Sequence, residues 1–146
     1  MRIILVLAFI STVALARSLE GPRYIKSSAY DTYLREVDCN SEKPVFMVDM
    51  APHAKACEKW RIERHGDKIL IRNVHAPLRY LRAHPDSSVD LAESGASGIL
   101  WDAYQNGDGS WSFKSVHGTW LRAQPHGRVS LQGHVGEDEK FTLELW

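Results

Sequence analysis

Trp120-Leu121-Arg122-Ala123 is followed by Val129-Ser130-Leu131 and then by Phe141-Thr142-Leu143. The same order of phrases occurs twice earlier in the chain. Tyr80-Leu81-Arg82-Ala83 leads to Val89-Asp90-Leu91 and Trp101-Asp102-Ala103, and Tyr33-Leu34-Arg35 leads to Val45-Phe46-Met47-Val48 and Trp60-Arg61-Ile62. Each set is preceded by one more apolar stretch: Tyr24-Ile25, Ile69-Leu70-Ile71 and Trp111-Ser112-Phe113. From the aromatic-Leu-Arg phrase to the second aromatic the spacing is 27, 21 and 21 positions. Self-similarity at a fixed period of about 40 residues marks one supersecondary unit used three times. Within each unit apolar residues alternate with polar ones, the signature of half-buried strands, and no window beyond the N-terminal stretch presents a helical face. His65-Gly66-Asp67, Asn106-Gly107-Asp108-Gly109, His126-Gly127 and Gly136-Glu137-Asp138 supply the corners between them.

Four short strands per unit, three times over, predict an all-β chain of twelve strands. One unit cannot bury its apolar face alone, whereas three around an axis close a common core. The arrangement expected is a β-trefoil, with six strands closing a barrel and six forming the hairpins that cap it. The expected repeats run over approximately 20–64, 65–104 and 105–146. Leu34, Leu81 and Leu121 are expected to form one core layer, and Trp60, Trp101 and Phe141 another. Val48 or its neighbours, with Leu91 and Leu131, should form the third. Their repeated, inward-phase positions make these aromatics core rather than a platform for a ligand.

The third unit, from His117-Gly118-Thr119-Trp120-Leu121-Arg122-Ala123 to Gly136-Glu137-Asp138-Glu139-Lys140-Phe141, resembles the fascin-like branch of the β-trefoils. The second unit is similar to it more weakly and the first least. Fascins are intracellular actin-bundling proteins built from four trefoils, so the resemblance implies an actin-binding protein.

The N-terminus points elsewhere. Arg2 precedes an apolar run from Ile3 to Leu15, broken only by Ser11 and Thr12, and Ala14-Leu15-Ala16 provides small residues for cleavage. This is the pattern of a secretory signal peptide over 1–16, leaving a single trefoil domain over 17–146. The run is too short for a membrane span of about 20 residues, and no later stretch is apolar enough for one. The mature chain is therefore expected to be secreted, extracellular and monomeric. In that oxidising setting Cys39 and Cys57, the two cysteines of the chain, read as a disulfide bracing the longer first unit. No Asn-x-Ser/Thr sequon occurs.

Eighteen basic residues balance eighteen acidic ones, so no bulk field draws nucleic acid or heparin. Seven histidines, His53, His65, His75, His84, His117, His126 and His134, lack the spacing of a helical metal site and read as solvated turn residues. Arg35, Arg82 and Arg122 follow the core leucine in each unit. They could converge on an anion as guanidinium forks, or their stems could cover neighbouring aromatics with the heads in water. Enzyme signatures are missing: no Gly-x-Ser-x-Gly, phosphate-binding loop or Gly-x-Gly-x-x-Gly occurs, and no cofactor is implied. The Gln-x-Trp phrase of ricin-type sugar binders is absent too.

The reading reached is a secreted β-trefoil binding module whose partner is a glycan or an extracellular protein, with the ligand-binding residues unassigned. The alternatives are an actin-binding fascin-like protein and a trefoil protease inhibitor whose reactive loop would lie around Met47 to Lys55. A secreted hydrolase is the weakest of them.

Overall fold

The computed structural model describes residues 19–146. The expected leader over 1–16 lies outside the described residues. The first unit supplies β1 (Gly21–Ser27), β2 (Tyr33–Glu36), β3 (Val48–Ala51) and β4 (Trp60–His65). The second supplies β5 (Lys68–Asn73), β6 (Tyr80–Ala83), β7 (Val89–Ala92) and β8 (Trp101–Gln105). The third supplies β9 (Trp111–Ser115), β10 (Trp120–Ala123), β11 (Val129–Gln132) and β12 (Phe141–Leu145). Two short 3-10 turns, Ala56–Glu58 and Glu137–Glu139, lead into β4 and β12. No helix of the described residues is long and apolar enough to cross a membrane.

The strand pairing closes a ring. β1 pairs β4, β4 pairs β5, β5 pairs β8, β8 pairs β9, β9 pairs β12, and β12 returns to β1, every pair antiparallel. The hairpins β2–β3, β6–β7 and β10–β11 attach to β1, β5 and β9. A six-stranded barrel capped by three hairpins is the β-trefoil.

The core repeats with the fold. Leu34, Leu81 and Leu121 are fully buried, as are Trp60, Trp101 and Phe141. Each such side chain contributes roughly 1.5–3 kcal/mol through burial. Ile25, Ile71 and Phe113, from β1, β5 and β9, add a further inner layer. Two indoles also satisfy a carbonyl of their own unit: Trp60 Nε1 donates to Leu34 O at 2.8 Å and Trp101 Nε1 to Leu81 O at 2.9 Å. Phe141 occupies the third position without a donor.

The remaining layer needs a correction. Leu34 faces Met50, as Leu81 faces Leu91 and Leu121 faces Leu131. Met50 is therefore the core residue of the first unit, while Val48 is half-buried like Val89 and Val129. The apolar run Val45–Val48 looks like a strand in sequence, but its first three residues end the connection between β2 and β3 and only Val48 belongs to β3. That connection spans residues 37–47, against 84–88 and 124–128 in the other units. Val45 and Met47 stay exposed there.

The hairpins grip one another around the pseudo-threefold axis. Phe46 O accepts from Leu91 N at 2.9 Å, and Ser87 O accepts from Leu131 N at 3.1 Å. Phe46 and Ser87 hold positive φ to do so, and the residue at the same place in the third unit is Gly127. A β-carbon on Gly127 would stand 2.9 Å from the Met50 carbonyl oxygen, so glycine there avoids a crowded contact with the backbone of the first unit.

Candidate ligand-binding surface

Successive side chains of a strand point to opposite faces, so the residues beside the core layers line the outside of the barrel. Lys26 on β1 follows buried Ile25, Arg72 on β5 follows Ile71, and Lys114 on β9 follows Phe113. Across the hairpin seam these cations face Tyr33, Tyr80 and Trp120. On the other side, the fourth residue of each closing strand approaches the same place: Glu144 of β12, Glu63 of β4 and Tyr104 of β8. Their register is the same in every unit, each lying opposite the residue two before the cation.

Two of these three positions are closed by the chain itself. Lys26 Nζ lies 3.8 Å from Glu144 Oε2, and Tyr33 Oη donates to Glu144 Oε1 at 3.1 Å. Burial, then the bond to Glu144, holds the Tyr33 hydroxyl above its ordinary pKa. In the second unit Arg72 Nε donates to Glu63 Oε1 at 2.7 Å.

The third position is open. Tyr104 stands where the others have glutamate, 48% exposed. Its ring centroid is 5.3 Å from that of Trp120, the two planes tilted by 60°. Lys114 Nζ sits 5.5 Å from the Trp120 ring, and among the described residues no carboxylate reaches it as an ion-pair partner. Asp102, its cross-strand neighbour, gives both oxygens to Lys68 Nζ, at 2.8 and 3.0 Å. That bond raises the Lys68 pKa. Lys68, Asp102 and Lys114 line a cleft of about 330 Å³ that reaches Leu100 and Val116.

Leu100 and Val116 also border a second cleft, of about 520 Å³, which is mostly apolar. Its walls include Leu70, Ile99 and the turn from Ser94 to Gly98, with His65 and His117 at its edges. In the first and third units the position of Ile99 is a buried glutamate: Glu58 accepts from Lys55 N at 2.9 Å, and Glu139 from Gly136 N at 2.7 Å. The larger cleft thus lies where the second unit departs from the pattern of its neighbours.

The repeated arginines do not converge on an anion. Arg35 makes two bonds to Asp49, at 2.8 and 2.7 Å, and Arg82 makes two to Asp90 at the same distances. Each acid is the cross-strand partner of its arginine. These bonds raise the pKa of both guanidinium groups. Arg122 faces Ser130 instead and turns to Asp138 and Glu139, at 3.4 and 3.6 Å. The forks of Arg35 and Arg82 are thus occupied inside their own units, while Arg122 makes one long bond to Asp138 and its Nε has no hydrogen-bond partner. The histidines are dispersed as well: His84 Nε2 lies 2.9 Å from Asp90 Oδ1, and His117 Nε2 lies 3.2 Å from Ala83 O. Among the described residues no group of three His, Cys, Asp or Glu side chains is arranged to hold a metal ion.

Cys39 and Cys57 are bonded, with Cα atoms 5.6 Å apart. Only Cys39 lies in the extra length of the first unit. Cys57 belongs to the turn before β4, whose counterpart before β12 is of the same kind. The segment Met47 to Lys55 is divided: Val48–Ala51 form β3, with Met50 and Ala51 buried, and Pro52 to Lys55 follow as an exposed connection.

No family model matches the chain, and no curated protein matches it. Among solved structures, SeviL bound to asialo-GM1 saccharide superposes with a TM-score of 0.71 over 86% of this chain and 98% of that one. At 14% identity the likeness is one of fold.

Proposed function

We propose that this chain is a secreted, monomeric β-trefoil module that binds a glycan on the Tyr104–Trp120–Lys114 surface. The observation carrying this reading is the third position, where two aromatic rings are presented from β8 and β10, the strands on either side of β9, beside an uncompensated cation on β9. A sugar ring has one face of C–H groups and a rim of hydroxyls. Tilted aromatic rings bury the first, and the lysine, Asp102 and the tyrosine hydroxyl can bond the second. Strands hold such groups in place better than loops do. The fold shared with a saccharide-bound protein is compatible with this use of the scaffold. The Cys39–Cys57 bond supports an oxidising compartment, and the apolar leader over 1–16 accounts for how the domain over 17–146 would reach it.

The fascin-like reading draws on the phrase from His117 to Phe141. Its recurring members Leu121, Ala123 and Phe141 are buried, so the phrase supports the fold unit more than an actin-binding role. The protease-inhibitor reading retains only the exposed stretch from Pro52 to Lys55 as its loop.

A glycan array probed with the secreted protein tests the proposal, with Tyr104→Ala as the control. Selective saccharide binding that falls at least about tenfold in the variant is expected, since an aromatic contact and its buried area are lost. Binding that ignores Tyr104, or an array with no bound saccharide, would overturn it. N-terminal sequencing of protein from the culture medium tests secretion, and a chain beginning at Met1 would refute the leader.

A further inference from the structure

We propose that the open position selects an acidic saccharide, the sugar's carboxylate pairing Lys114 as Glu144 and Glu63 pair Lys26 and Arg72 in the two equivalent positions. This rests on the glycan reading of the same surface and narrows its ligand class.

The three positions share one geometry and differ in one group. In the first, a protein carboxylate pairs a lysine and accepts from a tyrosine hydroxyl; in the second, it pairs an arginine. In the third the cation remains and the carboxylate does not: Lys114 is there, and Tyr104 replaces the acid. Asp102 does not compensate, because Lys68 holds both its oxygens. The cleft formed by Lys68, Asp102 and Lys114 therefore carries one positive charge in excess. Lys114 is also half-buried against Trp120, where an anion displaces less water than it would at a fully hydrated ammonium. A ligand carrying a carboxylate next to a C–H face meets the cation and the rings together. A neutral sugar meets only the rings, and an inorganic anion only the cation.

The test compares sialyllactose with lactose by isothermal titration, using the whole secreted protein at physiological salt. The wild-type chain should prefer sialyllactose by about tenfold or more, the value of one hydrogen-bonded charge contact. Tyr104→Glu installs the acid that the other two units carry, and should pair Lys114 internally and abolish the preference. Lys114→Gln removes the cation and should bring the ratio toward one, which keeps the test available should the first variant fold poorly. Equal affinity for both sugars in the wild-type chain would overturn the acidic selectivity and leave glycan binding standing. Absence of binding to either sugar, together with a blank glycan array, would overturn both. A preference that survives both substitutions would place the acidic contact elsewhere and refute the proposal.

Discussion

Replacing Gly98 by alanine probes how closely the turn before β8 approaches the end of β6. Gly98 has φ +85°, and its carbonyl accepts from Ala83 N at 2.9 Å. A β-carbon there would collide with the Ala83 carbonyl oxygen and stand 3.3 Å from Arg82 Cγ. The oxygen is backbone, so relief requires the turn and the strand end to separate, which strains the 2.9 Å bond between them. Left-handed backbone costs a residue with a side chain about 1–2 kcal/mol. Overpacking adds roughly 1–3 kcal/mol, and loss of the bond about 0.5–1.5 kcal/mol. The expected destabilisation is about 3–6 kcal/mol, a large part of the roughly 5–15 kcal/mol typical of a domain. Gly95 supplies the internal control: its φ is +84° and its β-carbon would meet nothing within 4 Å. Gly95→Ala should therefore cost only the backbone term, about 1–2 kcal/mol. Stiffening of the unfolded chain by alanine is the same for both and cancels in the difference. Urea unfolding followed by tryptophan fluorescence measures the two. Equal losses would refute the close approach as the reason for glycine at 98.

Three further outcomes are expected. Leu121→Ala, at a fully buried position, should destabilise by about 2–5 kcal/mol in the same unfolding assay; a change near zero would mean the core layer is wrongly assigned. Removing both Cys39 and Cys57 as serines opens a bond between residues 18 apart and should cost about 3 kcal/mol, read as a lower urea midpoint with unchanged far-ultraviolet dichroism. Glu36 is buried, and burial raises its pKa against the opposing pull of the Asn73 bond. Its contribution is thus fully present below the ordinary carboxylate pKa and lost as pH rises through the raised one. The stability of the wild-type chain relative to Glu36→Gln should therefore fall from acid toward neutral pH. Asp86 and Asp108, held low by Ser88 and Ser110, act in the opposite sense in both proteins and cancel from that comparison. A flat difference would refute the buried-carboxyl assignment.

The fold was legible because its core is written three times. Leu34, Leu81 and Leu121, with Trp60, Trp101 and Phe141, recur at spacings that only the longer connection of the first unit disturbs. That same connection hid Met50: residue counting across an eleven-residue loop cannot say which of several apolar side chains begins the strand. The arginines were visible, but their partners Asp49 and Asp90 emerge only from cross-strand register, which sequence proximity does not encode. The candidate site was the least legible. Tyr104 is unremarkable until it is placed beside Glu63 and Glu144, and that placement needs the closing strands β4, β8 and β12 aligned by their pairing. The signal was present as one substitution in a repeated position.

The unequal filling of three equivalent positions bears on valency. Glu144 and Glu63 occupy two of them from within, so on the proposed reading each molecule has one place left for a ligand. A trefoil with three open positions could bridge three saccharides and gain avidity from clustered display. A chain with one masks what it holds, and as a monomer it would coat a glycan-bearing surface without agglutinating it. Tight attachment would then depend on the quality of the single contact, or on joining several copies through some other part of the molecule.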